Sequence, residues 1–141
     1  MSLFHLALPI HDIAKTRHFY ETVLQCAVGR TAERWVDINF WDHQVSLHLV
    51  DDLVILDPTN SVDSDAVPVR HFGLILDWSD WHALSDRLTN GEYAKTISWI
   101  IEPKIRFQGE VGEQATMFLR DPSGNALEFK SFQDPSQVFA V

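Results

Sequence analysis

The most constraining feature of this chain is an order of elements that occurs twice. An apolar run of strand length, Leu3 to Leu8, leads into a helix that Asp12 can cap and that extends from Ile13 to about Gln25. On that helix Phe19, Val23 and Ala27 recur at helical spacing, with Tyr20 and Leu24 one position on. Strand-like runs follow, among them Arg34 to Phe40 and Gln44 to Val50, separated by a turn at Trp41, Asp42 and His43. The order then restarts. Arg70 to Leu76 reads as a strand. Asp77 or Ser79 caps a helix from Asp80 to about Thr89, and Asn90-Gly91 is expected to end it in left-handed geometry. Lys95 to Phe107, Gln114 to Leu119 and Ala126 to Phe132 read as strands, with a glycine-bearing loop at Gln108 to Gly112 and a tight turn from Asp121 to Asn125. The pattern is a doubled βαβββ unit: module one at about residues 3–50, module two at about 70–132, and a tail at 133–141. Between the modules, residues 51–69 carry several aspartates and two prolines and read as an acidic linker.

Composition narrows what such a chain does. Its 141 residues fit one domain, which can bury an adequate core without disulfides. The net charge of −9 argues against nucleic acid and against anionic membrane surfaces as partners. One cysteine, Cys26, allows neither an intrachain disulfide nor a multi-thiolate zinc site, and reads as a small apolar residue at a helix end. There is no signal-peptide pattern and no apolar run of membrane-spanning length, so a cytoplasmic protein is expected.

Side-chain alternation along the strands locates the chemistry. Phe4, Leu6 and Leu8 share one face and His5 takes the other. Val45, Leu47 and Leu49 oppose Gln44, Ser46 and His48. Phe72, Leu74 and Leu76 oppose His71 and Gly73, and Leu127 and Phe129 oppose Ala126, Glu128 and Lys130. Each of the four strands thus has an apolar face suited to a helix and an opposite face bearing a metal-ligand residue type. Two imidazoles and a carboxylate on one face suit non-haem Fe(II), so His5, His71 and Glu128 are read as metal ligands. His48 is either a fourth ligand or an acid/base residue beside the metal. Asp37 and Asn39, with Trp35, either line the cavity or face solvent. Lys104, Arg106 and Arg34 either bind a substrate anion or form surface ion pairs. His11, His18, His43 and His82 are read as background.

The paired units with His5, His48, His71 and Glu128 resemble the vicinal oxygen chelate superfamily, which includes glyoxalases, bleomycin and fosfomycin resistance proteins, and extradiol dioxygenases. The segments FHLALPIHDIAKTRHFYETVL, GEQATMFLRDP and DPSGNALEFKSF carry the resemblance. With ERWVDINFWDHQVSLHL and HFGLILDW they are most similar to a bacterial extradiol-dioxygenase-like group. Extradiol members place a tyrosine shortly before the metal Glu, where this chain has Thr116 to Leu119. The resemblance implies an α+β fold in which two βαβββ modules form an open, cup-shaped eight-stranded barrel around a metal site. It implies His5, His71 and Glu128 as ligands of a divalent metal, with Fe(II) favoured over Mn, Ni or Zn, and His48 near the acid/base position. The implied activity is an extradiol-type dioxygenase acting on a small catechol-like substrate and O2. The alternatives are a glyoxalase-type isomerase or lyase, or a small-molecule binding or resistance protein. A homodimer is expected, because open sheet edges need covering and this superfamily commonly pairs.

Overall fold

A computed structural model describes residues 2–55 and 57–141; Met1 and Leu56, the latter inside the expected linker, lie outside the described residues. The chain forms two compact units. One comprises Met1–Ile55 with Asp121–Asn125, the other Leu56–Arg120 with Ala126–Val141.

The first unit is built on β1 (His5–Ile10), β2 (Ala27–Ala32), β3 (Trp35–Phe40) and β4 (His43–Leu49). Their order in the sheet is β1-β4-β3-β2, with β1 parallel to β4 and the other pairs antiparallel. Val36, Ile38, Phe40, Val45 and Leu47 are buried together with Phe19, Tyr20, Val23 and Leu24 of the helical segment. That segment departs from the expected single α-helix. Asp12 does cap it, its carboxylate accepting from the Lys15 amide at 2.8 Å. However, α1 covers only Ile13–Arg17, and His18–Val23 continues as a π-helix. The wider turn accompanies complete burial of Tyr20, whose hydroxyl donates to Asp121 at 3.0 Å. Burial, with the Asp121 charge beside it, holds that phenol well above its ordinary pKa and therefore neutral. Asp121 also accepts from the amides of Ser123 and Asn125 and from the Asn125 side chain, which closes the Asp121–Asn125 turn.

The second unit repeats the plan with β7 (Phe72–Ile75), α2 (Trp78–Asn90), β8 (Ser98–Arg106), β9 (Gln114–Arg120) and β10 (Ala126–Phe132), in the order β7-β10-β9-β8. Trp81, Leu84 and Leu88 of α2 are buried, as are Leu127, Phe129, Met117 and Leu119. The Trp81 indole donates to the Phe129 carbonyl at 2.8 Å. Two local expectations are corrected. Gly91 ends α2 in extended rather than left-handed geometry (φ −79°, ψ −175°), its amide closing the last turn onto the Arg87 carbonyl at 2.9 Å. The expected strand from Arg70 shortens to Phe72–Ile75, which leaves His71 immediately before the strand.

The acidic linker is also corrected. It contains a hairpin, β5 (Thr59–Val62) and β6 (Asp65–Pro68), whose turn residues Asp63 and Ser64 both have positive φ. Among the described residues the architecture is therefore mixed α+β: two four-stranded sheets and a two-stranded hairpin, with no eight-stranded sheet. Among the described residues no helix is long and apolar enough to cross a membrane.

Candidate functional site

Strand register decides which of the sequence-selected residues meet. In the second unit Glu128 of β10 pairs with Gly73 of β7, one residue past Phe72 opposite Leu127. A methyl group on Gly73 would come within 1.5 Å of the Glu128 carbonyl oxygen, so only glycine lets β7 approach β10 this closely. That approach brings His71 to Glu128: Nε2 and Oε2 are 3.2 Å apart. The strand alternation places Gly73 on this face and by itself assigns it no role; a glycine amid apolar strand residues is the signal for such a close approach. Gly73→Ala is expected to destabilise the protein by about 3 kcal/mol or more, since the strands must part to admit the methyl group. At this chain length that corresponds to a melting-temperature fall of roughly 6–12 °C, measurable by calorimetry.

Both members of the pair are held from behind. The Pro68 carbonyl lies 2.6 Å from His71 Nδ1. A carbonyl can only accept, so Nδ1 carries a hydrogen and donates it. The other Glu128 oxygen, Oε1, accepts from the Thr116 hydroxyl at 2.8 Å, and Lys130 stands 3.9 Å from Oε2. The Phe118 ring packs edge-on against the His71 ring, with centroids 4.9 Å apart. The hydrogen bond to Glu128 raises the His71 pKa, against the effect of burial and with help from the Pro68 carbonyl. Burial pushes the Glu128 carboxyl up, but the His71 hydrogen bond, the Lys130 charge and the Thr116 hydroxyl together hold it below its ordinary value.

These directions set a pH window for the metal-free protein. The His71 contribution is complete below the ordinary imidazole pKa of 6.5 and fades as pH rises through its raised value. The Glu128 contribution is complete above the ordinary carboxyl pKa of 4.5 and fades as pH falls through its lowered value. The stabilisation from the pair is thus greatest between 4.5 and 6.5. The difference in melting temperature between the parent and Glu128→Gln should be largest in that window and shrink on both sides of it.

The first unit arranges its residues differently. His5 is exposed and pairs with Gln44, while Ala7 pairs with Ser46. Because Gly73 holds the place in module two that Ala7 holds in module one, Ser46 is the counterpart of Glu128. By sequence, His48 is read as a fourth ligand or an acid/base residue. His48 pairs with Pro9 and, on the other side, with Trp35. It lies four residues beyond Gln44 on the same face as His5, about 13 Å along the strand at ~3.3 Å per residue. Ser46 is committed elsewhere, donating to Asp37 at 2.6 Å. Asp37 also accepts from Gln44 at 3.2 Å and faces Arg30 at 3.5 Å. Asp37, Asn39, Gln44 and Arg30 line a cavity of about 440 Å³ on this sheet.

The remaining basic candidates form ion pairs. Arg34 faces Asp51 at 3.3 Å, Arg106 donates to Asp65 at 2.8 Å, and Lys104 also contacts Asp65. Cys26 is buried, as expected.

Among the described residues no group of three or more His, Cys, Asp or Glu side chains is gathered as a metal cluster. The His71–Glu128 pair nonetheless fits two ligands of a divalent ion. Neutral imidazole nitrogen and carboxylate oxygen are suitable donors, and two ligands each about 2.0–2.2 Å from one ion stand roughly this far apart. The hydrogen bonds at Nδ1 and Oε1 are the outer contacts that such ligands use to fix orientation.

The same chain matches a family model over residues 2–129, that of the Glyoxalase/Bleomycin resistance protein/Dioxygenase superfamily. The chain belongs to this superfamily. A glyoxalase/bleomycin resistance protein/dioxygenase from Alicyclobacillus acidocaldarius is 29% identical over 97% of this chain and 96% of that one, with a TM-score of 0.76. Two solved structures of lower identity share the fold. A genomically encoded fosfomycin resistance protein from Listeria monocytogenes is 14% identical, covering 98% of each chain at a TM-score of 0.69. A lactoylglutathione lyase from Agrobacterium tumefaciens is also 14% identical, covering 99% of this chain and 97% of that one at a TM-score of 0.62. No curated protein matches the chain. Membership of the superfamily agrees with the resemblance read from the sequence; the extradiol-like subgroup is a finer assignment that these matches do not make.

Proposed function

We propose that this superfamily member is a metal-dependent enzyme of extradiol-dioxygenase type, acting on a small catechol-like substrate and O2. The observation that carries this reading is the 3.2 Å approach of His71 Nε2 to Glu128 Oε2, with the opposite atoms of both groups tied down. His5 is the proposed third ligand. The register supports three ligands rather than four, because the first-module counterpart of Glu128 is Ser46, which is bound to Asp37. Two imidazoles and one carboxylate form the facial set associated with Fe(II) and open positions, whereas a glyoxalase-type site uses a fourth protein ligand.

When bound, such an ion would hold two vicinal oxygens of the substrate and lower the pKa of a hydroxyl it contacts. The chain's own groups, side chains and one backbone carbonyl, supply the rest. Thr116 and Pro68 fix the orientation of Glu128 and His71. The Phe118 ring keeps water from one side of His71. His48, four residues along its strand from the partner of His5, is the proposed acceptor of the substrate's second hydroxyl proton.

The test is anaerobic reconstitution with Fe(II), Mn(II), Ni(II) or Zn(II), followed by oxygen uptake on a panel of catechols. Oxygen consumption with the Fe(II) form and ring-opened product are expected. Isomerisation of a hemithioacetal without oxygen uptake would move the protein to the glyoxalase-type reading. Ligand binding that survives chelation and yields no product would mark it as a binding protein.

A further inference from the structure

The β5–β6 hairpin lies on the same face of the second sheet as Glu128. Glu128 pairs with Phe118, and Phe118 pairs with Ile101, so all three share a face. Val67 of β6 packs into one apolar cluster with Ile101 and Phe118. The opposite face carries Leu127, Phe129 and the α2 contacts. The hairpin therefore sits on the side of the sheet that bears the candidate ligands.

Ion pairs hold it there. Arg106, with its side chain only 4% exposed, donates to the Val62 carbonyl at 3.0 Å and to Asp65 at 2.8 Å. Lys104 also contacts Asp65, and Asp57, just before the hairpin, contacts Arg120. The Val69 amide closes the hairpin base onto the Pro58 carbonyl at 2.8 Å. Its last residue, Pro68, presents the carbonyl that meets His71 Nδ1. The hairpin touches the site a second time through Val67, which packs on Phe118, the ring that stands edge-on to His71.

We propose that the β5–β6 hairpin is the positioning element of the metal centre: seated by Val67 and the Asp65–Arg106–Lys104 pairs, it fixes the His71 ring so that only Nε2 is offered to an ion. The inference rests on the reading of His71 as a ligand. Its physical content is orientational. An imidazole can present either nitrogen, and the nitrogen that is hydrogen-bonded from behind determines which one is left. With the Pro68 carbonyl in place, Nδ1 is spent. With the hairpin displaced, Nδ1 loses its fixed acceptor and Phe118 loses Val67 as a backing, so the ring is free to turn or change tautomer. Loss of such an outer contact typically lowers metal affinity roughly 10–100-fold.

The experiment compares the parent with Val67→Ala and Asp65→Asn. Each metal-free protein is examined by NMR for a His71 Nδ1 proton protected from exchange with water, then titrated with Zn(II) against a competing chelator. The parent is expected to show the protected ring proton. Both variants, with their β9–β10 amides still protected, are expected to lose it and to bind Zn(II) roughly 10–100-fold more weakly. Removing Asp65 leaves Arg106 short of a partner in a buried site, so if that variant fails to fold, Val67→Ala decides. The proposal is overturned if the ring proton is missing in the parent. It is equally overturned if the Val69 amide exchanges freely in a folded variant while the ring proton or the Zn(II) affinity stays as in the parent. A parent that shows the ring proton but binds no Zn(II) overturns the proposal too, and with it the reading of the pair as metal ligands; a missing ring proton in a protein that binds Zn(II) leaves that reading standing and removes only the role of the hairpin.

Discussion

Alanine at His71 or at Glu128 is expected to abolish metal retention while the fold persists. Each substitution removes a proposed donor, so its effect should exceed the roughly 10–100-fold cost of losing an outer-sphere partner. Turnover should disappear with the metal. The fold should survive because neither side chain belongs to the apolar face: the packing residues of β10 are Leu127 and Phe129, and Glu128 points the other way. The two variants differ in what they leave behind. His71→Ala leaves Glu128 with Thr116 and Lys130 as partners. Glu128→Ala leaves His71 donating to Pro68, with no carboxylate to hold its pKa up. Elemental analysis after dialysis, with circular dichroism to confirm folding, checks the result. Stoichiometric metal in both folded variants would remove the pair from the site.

His48→Ala should separate metal binding from turnover. The variant is expected to retain its metal and to lose about 10²–10⁴-fold in kcat, the usual contribution of a positioned acid/base residue. The register provides the reason: His48 is opposite Pro9, whereas Gln44 is opposite His5. A ligand of the same ion as His5 is better supplied from the Gln44 or Ser46 rows than from one four residues along the strand. His48 is exposed and outside the buried core, so the substitution should leave stability nearly unchanged. Parallel measurement of bound metal and of single-turnover rate decides the matter. Loss of metal under conditions where the parent keeps it would return His48 to the ligand set and favour the glyoxalase-type reading.

The sequence by itself determined the doubled βαβββ order and the face on which each candidate ligand lies. Both follow from local rules. Apolar alternation has a period of two in a strand, so Leu127 and Phe129 must oppose Glu128 whatever the strand pairs with. Asp12 caps its helix because an aspartate side chain reaches the amide three residues on, another local fact. The tertiary structure alone decided everything that depends on pairing. Which residue of β4 matches Glu128 is a matter of register, and a shift of two residues keeps the face while changing the row; Ser46 and not His48 therefore holds that place. The π-helical turn at His18–Val23 coincides with the bond between Tyr20 and Asp121, residues far apart in the chain. The acidic stretch reads as linker because its aspartates and prolines are loop formers. Its hairpin is fixed by Arg106 and Lys104, which approach only once β8 has formed. The role of Gly73 likewise stays hidden in the letters, since the atom that a side chain there would strike belongs to Glu128 on a strand it meets only after folding.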